Sequence, residues 1–353
     1  MTSKLIVIGS NSIHCKRFIQ GILDNSNYEV AIITNLQMPE FTSLKQYQIN
    51  FALSNIKAKK QIAEILNIEK PEIVHIHQAN SYAWHSLRAI RSLKFKPKTI
   101  LTAWGSDVLL LPKESRILAR IVRYSLINAD VITSDSLYMS GVINQLLNGV
   151  TKPIHTINFG IQELPLKQII SNKKKVILSN RLHKPLYRID KIISAFAGLI
   201  NNQLLDADYQ LIVAAGGEES DNLRKLAQKL GVVDNIHFTG MIPYKELVDY
   251  YKIAKIFVSV PESDGTASSL LEAMAYGCVP VLSNLPANLE WVINDYNGFI
   301  SVNINELQLE IIKAVKIADN PEDYRNLYDF NYQLIENKAT LKCNINKFIE
   351  LYQ

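Results

Sequence analysis

At 353 residues the chain is longer than one ordinary α/β core and suits two domains. Hydrophobic residues make up 48% and charged residues 20%, which describes a globular chain and excludes a disordered one. A net charge of +5 suits anionic substrates or an anionic membrane face, and no basic helix or aromatic-interleaved patch marks a nucleic-acid reader. Cys15, Cys278 and Cys343 are scattered without pair spacing, which argues against a disulfide framework or a zinc site and fits a reducing cytoplasm. The opening apolar run Lys4–Ile8 is too brief for a signal-peptide core, and no run approaches the roughly 20 residues of a membrane span.

In chain order, strands are predicted at Leu5–Ile8, Glu29–Thr34, Tyr47–Phe51, Pro71–His77, Thr99–Ala103, Val131–Ser134 and Ile154–Asn158. Helices fall between them at Ser12–Asn25, Ile56–Asn67, Tyr82–Leu93, Glu114–Asn128 and Met139–Leu147. Phe159–Lys175 has no clear period and reads as an interdomain linker. Alternation then restarts: strands at Val176–Ser179, Gln210–Ala214, Ile236–Thr239, Ala254–Val260 and Val279–Ser283. The helices of this half are Arg188–Leu199, Asp221–Leu230, Tyr244–Ile253, Ser268–Tyr276 and Glu306–Ala318, with one or two more over Asn331–Tyr352. Repeated βα units imply parallel sheets with right-handed crossovers. Two such sheets give two Rossmann-like domains facing across a cleft, with ligands at the carboxyl ends of the strands.

The stretch Pro261–Pro280 is the most informative. A polar turn, Ser263-Asp264-Gly265-Thr266, opens a small-residue helix whose N-terminus suits an anion. Asp264 lies before that helix and Glu272 two turns into it, so an acid, an amide-rich turn and a second acid are placed to grip a sugar, a phosphate and a ribose.

The run Val213–Glu218, the pair Phe238-Thr-Gly240, Pro261–Pro280 with its acid-x7-acid spacing, and Asn297-Gly298 follow one another as in a known family. Over roughly 180–300 the chain resembles the retaining glycosyltransferases of the GT-B fold, group 1 (family 4). The first half resembles them more loosely, through its order of elements and Trp104-Gly-Ser-Asp107 where members carry His-Gly-Ser-Asp. Asp264 stands where the family normally has Glu, and Gly9-Ser-Asn-Ser12 replaces a richer glycine turn.

The resemblance implies an α/β, GT-B chain: residues 1–165 an acceptor domain, 166–330 a nucleotide-sugar domain, and 331–353 a helix packing back on the first. It implies transfer from a nucleotide-diphosphate sugar, as co-substrate, to a glycan or lipid-linked acceptor in surface polysaccharide biosynthesis, with retention and with no metal and no other cofactor. Asp264 is expected at the sugar hydroxyls and the growing positive charge, and Arg181 at the diphosphate. Gly265, Thr266, Ala267 and Ser268 offer backbone N–H groups, and Glu272 takes the ribose diol. The second basic partner is Lys184, Arg188 or Lys191. Gly216, Gly240 and Ile242 border the nucleotide.

In the first half, His77 ends a strand near the acceptor, and His14, in the first turn of the first helix, either meets the reacting groups or is an ordinary helix-start polar residue. Asp107 either holds or deprotonates the acceptor hydroxyl or caps its turn. The triplet Asp206-Ala207-Asp208 reads as a loop. Basic and aromatic residues from Trp84 to Lys98 suggest a peripheral membrane contact at the inner face of a cytoplasmic membrane. Two other readings are a nucleotide-sugar epimerase of the same fold and a non-catalytic binding subunit.

Overall fold

The computed structural model describes residues 3–353, which divide into two compact units. The first comprises residues 3–162 with Leu341–Gln353, and the second Glu163–Thr340.

In the first unit seven strands, β1 (Lys4–Gly9), β2 (Glu29–Thr34), β3 (Lys45–Gln48), β4 (Ile73–His77), β5 (Lys98–Thr102), β6 (Val131–Ser134) and β7 (Ile154–Thr156), form one parallel sheet. The spatial order is 3-2-1-4-5-6-7. Helices α1 (Ile13–Asn25), α2 (Ala58–Glu69), α3 (Ser81–Ile90), α4 (Ser106–Leu109), α5 (Leu111–Glu114), α6 (Arg116–Asn128) and α7 (Leu137–Leu147) connect them. The strands are short apolar runs, buried throughout in β4 and nearly so in β1 and β2, as expected of a parallel sheet covered on both faces.

The second unit repeats the plan. Its strands β8 (Lys174–Ser179), β9 (Gln210–Ala214), β10 (Ile236–Gly240), β11 (Ala254–Ser259), β12 (Val279–Ser283) and β13 (Phe299–Ser301) are parallel, in the order 10-9-8-11-12-13. Its helices are α8 (Ile189–Asn201), α9 (Ser220–Lys229), α10 (Tyr244–Ile253), α11 (Ser268–Ala275), α12 (Pro286–Leu289), α13 (Leu307–Asp319) and α14 (Pro321–Lys338). Both sheets have the doubly wound arrangement, whose order reverses between β1 and β4 and between β8 and β11.

The expected linker differs. Lys173 is buried and β8 begins at Lys174, so the lysine cluster is the start of a strand rather than a free tether. The last segment differs in its start: one or two helices were expected over Asn331–Tyr352, and there are two, the first beginning at Pro321. The polypeptide runs through α14 in the second unit, breaks at Ala339, and only α15 (Leu341–Glu350) belongs to the first. There Ile345 and Phe348 are buried, Gly21 of α1 leaves room for Ile345, and the Tyr352 hydroxyl lies 2.7 Å from His75 Nδ1.

At the edge of the first sheet Glu69 is buried among Lys4, Lys45 and Tyr47, with Nζ atoms at 2.8 and 3.3 Å. The hydrogen bonds from Lys4 and Tyr47 hold its carboxyl down at about 2. A depressed carboxyl stabilises the fold above its unfolded value, and that stability is lost as pH falls toward the folded value. Glu69→Gln is therefore expected to cost about 1–2 kcal/mol at neutral pH. Chemical denaturation of both proteins along a pH series should show the gap closing between the ordinary carboxylate range and about pH 2.

Candidate donor site of the second unit

The reversal point of the second sheet brings two distant stretches together. Asn180 and Arg181 follow β8, and Val260–Ala267 leads from β11 into α11. Arg181 Nη2 lies 2.7 Å from Asp264 Oδ2, and Nη1 donates to Ser269 Oγ at 3.3 Å. The guanidinium sits 4.5 Å from the ring centre of Tyr187, a cation–π distance. The two charged side chains are 11% and 20% exposed, so the pair is shielded yet within reach of a ligand. The sequence offered Arg181 and Asp264 as separate contacts, and the fold makes them one ion pair.

Behind the turn, α11 starts at Ser268 after Ala267, and no side chain caps its first turn. Its leading amides and their partial positive charge are left for an anion. Gly265 and Thr266 lie in the turn, and Thr266 Oγ1 accepts from Trp291 Nε1 at 3.3 Å. Glu272 is only 5% exposed. Tyr251 Oη is 3.1 Å from Glu272 Oε2 and accepts from Asn180 Nδ2 at 2.7 Å. Burial and then the Glu272 charge push the Tyr251 phenol well above its ordinary value, so it stays a neutral hydrogen-bond donor. Tyr251, Asn180, Tyr187 and Trp291 were missed from sequence. Only Tyr251 carried a signal, as the large residue in the last turn of α10.

The loop from Arg181 to Arg188 is stapled to the turn after β9. His183 N donates to Gly216 O, Glu219 N donates to His183 O, and His183 Nδ1 is 2.8 Å from Ser220 Oγ. A Cβ on Gly217 would stand 2.5 Å from His183 O, so only glycine permits this approach. Gly217→Ala is expected to displace the loop and cost about 1–3 kcal/mol, read as a lower thermal midpoint. An unchanged midpoint would show that the loop yields freely.

Gly216 and Gly240 flank that turn. Gly240 has φ +68°, and its carbonyl accepts from Ala215 N; Ile242, two residues on, is half-buried.

Of the three candidate second cations, Arg188 donates from Nε to Val260 O at 2.7 Å and from Nη2 to Pro261 O at 3.0 Å. It thereby holds the strand end that carries Asp264. Lys191 pairs with neighbouring Asp190 at 3.4 Å, and Lys184 is exposed. Asp206 and Asp208 share Lys175 in an exposed cluster at the start of β8, away from this site.

In the first unit, an aromatic cluster forms where β4 and β5 end. His77 is fully buried, parallel to His75 at 4.7 Å and edge-on to Phe18 at 4.6 Å. Its Nδ1 accepts from Trp104 Nε1 at 3.2 Å, which leaves the proton on Nε2. That Nε2 is buried without a hydrogen-bond partner. Burial brings the His77 value down to about 3, so the ring is neutral. His14 packs edge-on to Trp104 at 5.6 Å. Asp107 is buried, and its oxygens accept from Ala79 N at 2.7 Å and Trp104 N at 3.0 Å. These contacts are the capping geometry: the carboxylate ties the exits of β4 and β5 together.

Two family profiles match. The one described as "Glycosyl transferases group 1" covers residues 161–330, and "Glycosyl transferase 4-like" covers 5–136. N-acetyl-alpha-D-glucosaminyl L-malate synthase of Bacillus anthracis is 21% identical over 84% of this chain and 78% of its own. Alpha-monoglucosyldiacylglycerol synthase of Streptococcus pneumoniae is 31% identical over 38% of this chain and 30% of its own. Among solved structures, Anabaena HepE in complex with UDP superposes with TM-score 0.81 at 12% identity, covering 99% of both chains. A glycosyltransferase of Rickettsia africae superposes with TM-score 0.78 at 15% identity, covering 99% of this chain and 98% of the other. With two parallel Rossmann-like units and both profiles in place, the chain belongs to the group 1, family-4-like glycosyltransferases of the GT-B fold.

Proposed function

We propose that this glycosyltransferase moves a sugar from a nucleotide-diphosphate sugar to a glycan or lipid-linked acceptor, with retention and without a metal. The observation that carries the reading is the shielded Arg181–Asp264 pair beside the uncapped start of α11. An incoming diphosphate would draw on Arg181 and the α11 amides, with Lys184 as the second cation. Asp264 would then be released toward the sugar. Glu272, oriented by Tyr251, would take the ribose diol, and the turn at Gly216, Gly240 and Ile242 would border the base.

In the transfer step the acceptor oxygen bonds to the anomeric carbon as the bond from that carbon to the phosphate oxygen breaks. The electron pair of the broken bond goes to the diphosphate. The acceptor proton passes to a departing phosphate oxygen on the same face, so no enzyme nucleophile is required. Charge growing on the anomeric carbon is stabilised by Asp264, and charge growing on the diphosphate by Arg181. UDP and UDP-glucose bound to HepE support a nucleotide-sugar donor, and the glycolipid synthase name supports a lipid-linked acceptor.

Surface polysaccharide assembly at the inner face of a cytoplasmic membrane fits this chemistry. Arg88, Arg91, Lys94 and Lys96 are exposed for a peripheral contact. Trp84 is not free for it, since it packs on Tyr124 and beneath Arg88. No helix among the described residues is long and apolar enough to cross a membrane.

The test is a donor panel with acceptor glycans, following nucleotide release, anomeric configuration by NMR and sensitivity to a chelator. An inverted product, or loss of turnover on chelation, would refute the proposed mechanism. Epimerised donor formed without acceptor would favour the isomerase reading instead.

A further inference from the structure

The second unit has a cavity of about 520 Å³ at the opposite edge of its sheet. Lys173 and Lys255, which line it, stand at the amino ends of β8 and β11, whereas Arg181 and Asp264 follow their carboxyl ends. Six-residue strands separate the two places by roughly 20 Å. The volume falls within the ordinary range of small-molecule sites.

The lining has a definite chemistry. Ile169 and Ile170 come from the segment before β8, and Tyr324 and Tyr328 from one face of α14. Both tyrosine hydroxyls are already used: Tyr324 donates to Gly277 O at 2.8 Å and Tyr328 to Ala275 O at 3.1 Å. What they leave to the cavity is ring surface. The charges are unbalanced. Asp319 and Asp329 are each taken, by Lys255 at 2.6 Å and Lys167 at 2.7 Å. Lys173 is 7% exposed and donates to the carbonyls of Tyr251 and Ala254, with Cys278 Sγ 3.8 Å away. Those contacts satisfy its protons but put no negative charge beside it. Arg325 is exposed at the same cavity without a carboxylate partner. A buried ammonium lacking a counter-ion is costly, and an anion within the cavity would offset that cost.

We propose that this cavity is a second ligand site, distinct from the donor site, for a small anion carrying a flat apolar ring. The ring lies against the tyrosine and isoleucine surface, and the charge faces Arg325 and Lys173. The occupant would rest behind α11, because Tyr328 holds that helix's last carbonyl, Ala275 O, and Tyr324 holds Gly277 O just beyond it.

The probe for this class is 8-anilinonaphthalene-1-sulfonate, an aromatic anion that fluoresces in apolar surroundings. Titrated into the full-length folded chain, it should saturate at one probe per chain and persist with UDP in excess. Arg325→Glu reverses an exposed, unpaired charge, and Ile169→Glu puts a carboxylate on an exposed lining position. Each should weaken binding roughly tenfold with the thermal midpoint unchanged. Displacement of the probe by UDP, or wild-type affinity in both variants, would overturn the proposal.

Discussion

Asp264→Ala is expected to lower transfer by about 100- to 1,000-fold while leaving nucleoside-diphosphate binding as tight as before, or tighter. The reason is the ion pair. Asp264 neutralises Arg181 at 2.7 Å, and both are largely shielded. A diphosphate must compete with the carboxylate for the guanidinium, so deleting the competitor frees Arg181 for the ligand. On the proposed mechanism the same deletion would also remove the charge set against the developing cation on the sugar and so lower kcat. Arg181→Ala should act with the opposite sign on binding, weakening UDP by roughly 10- to 100-fold. Calorimetry with UDP beside single-turnover kinetics separates the two. Equal losses of UDP affinity in both variants would mean that the pair is only a structural tie.

If Glu272 holds the ribose as proposed, Glu272→Ala is expected to raise the donor KM by roughly tenfold to a hundredfold with a smaller change in kcat, because the ribose is remote from the bond that breaks. Tyr251→Phe should give a fraction of that effect, since it leaves the carboxylate in place and removes a hydroxyl that bonds Glu272, Asn180 and the Ser269 carbonyl. The comparison matters because Glu272 is nearly covered and already has a partner. An unchanged KM in Glu272→Ala, with a lowered thermal midpoint, would assign the carboxylate to packing against Tyr251 alone.

Much of the fold was legible because parallel strands buried on both faces are short apolar runs. β2, β6, β9 and β12 have the predicted limits. α14 was placed ten residues late for an equally physical reason. Its buried face consists of Tyr324, Leu327, Tyr328, Asn331 and Ile335, so helical spacing is present but three of the five residues carry polar groups. Asn331 is there because its side chain exchanges hydrogen bonds with Asn297, at 2.8 and 3.0 Å. The start signal, Asn320 capping Glu322 and Asp323 with Pro321 in the first turn, was available in the sequence. The short elements α4, α12 and β13 carry too few residues to show a period.

At the site, residue types were legible and partnerships were not. Arg181 and Asp264 become neighbours only because β8 lies beside β11, which no local pattern reveals. Arg188 was a candidate for phosphate, but two of its donors close on backbone carbonyls. Asp107 likewise carried two readings, and its two short bonds to backbone amides are those of the cap.

The return of α15 to the first unit bears on how the protein is made. His75, in the middle of the first sheet, has Tyr352 as a partner, 277 positions away and beyond the second unit. During synthesis the first unit emerges early, yet its wall of Ile345, Phe348 and Tyr352 emerges only after the whole second unit. Until then the groove along α1 and β4 presents Phe18 and the buried histidine to solvent or to chaperones. The nascent first unit must therefore wait, partly open, through translation of the whole second unit.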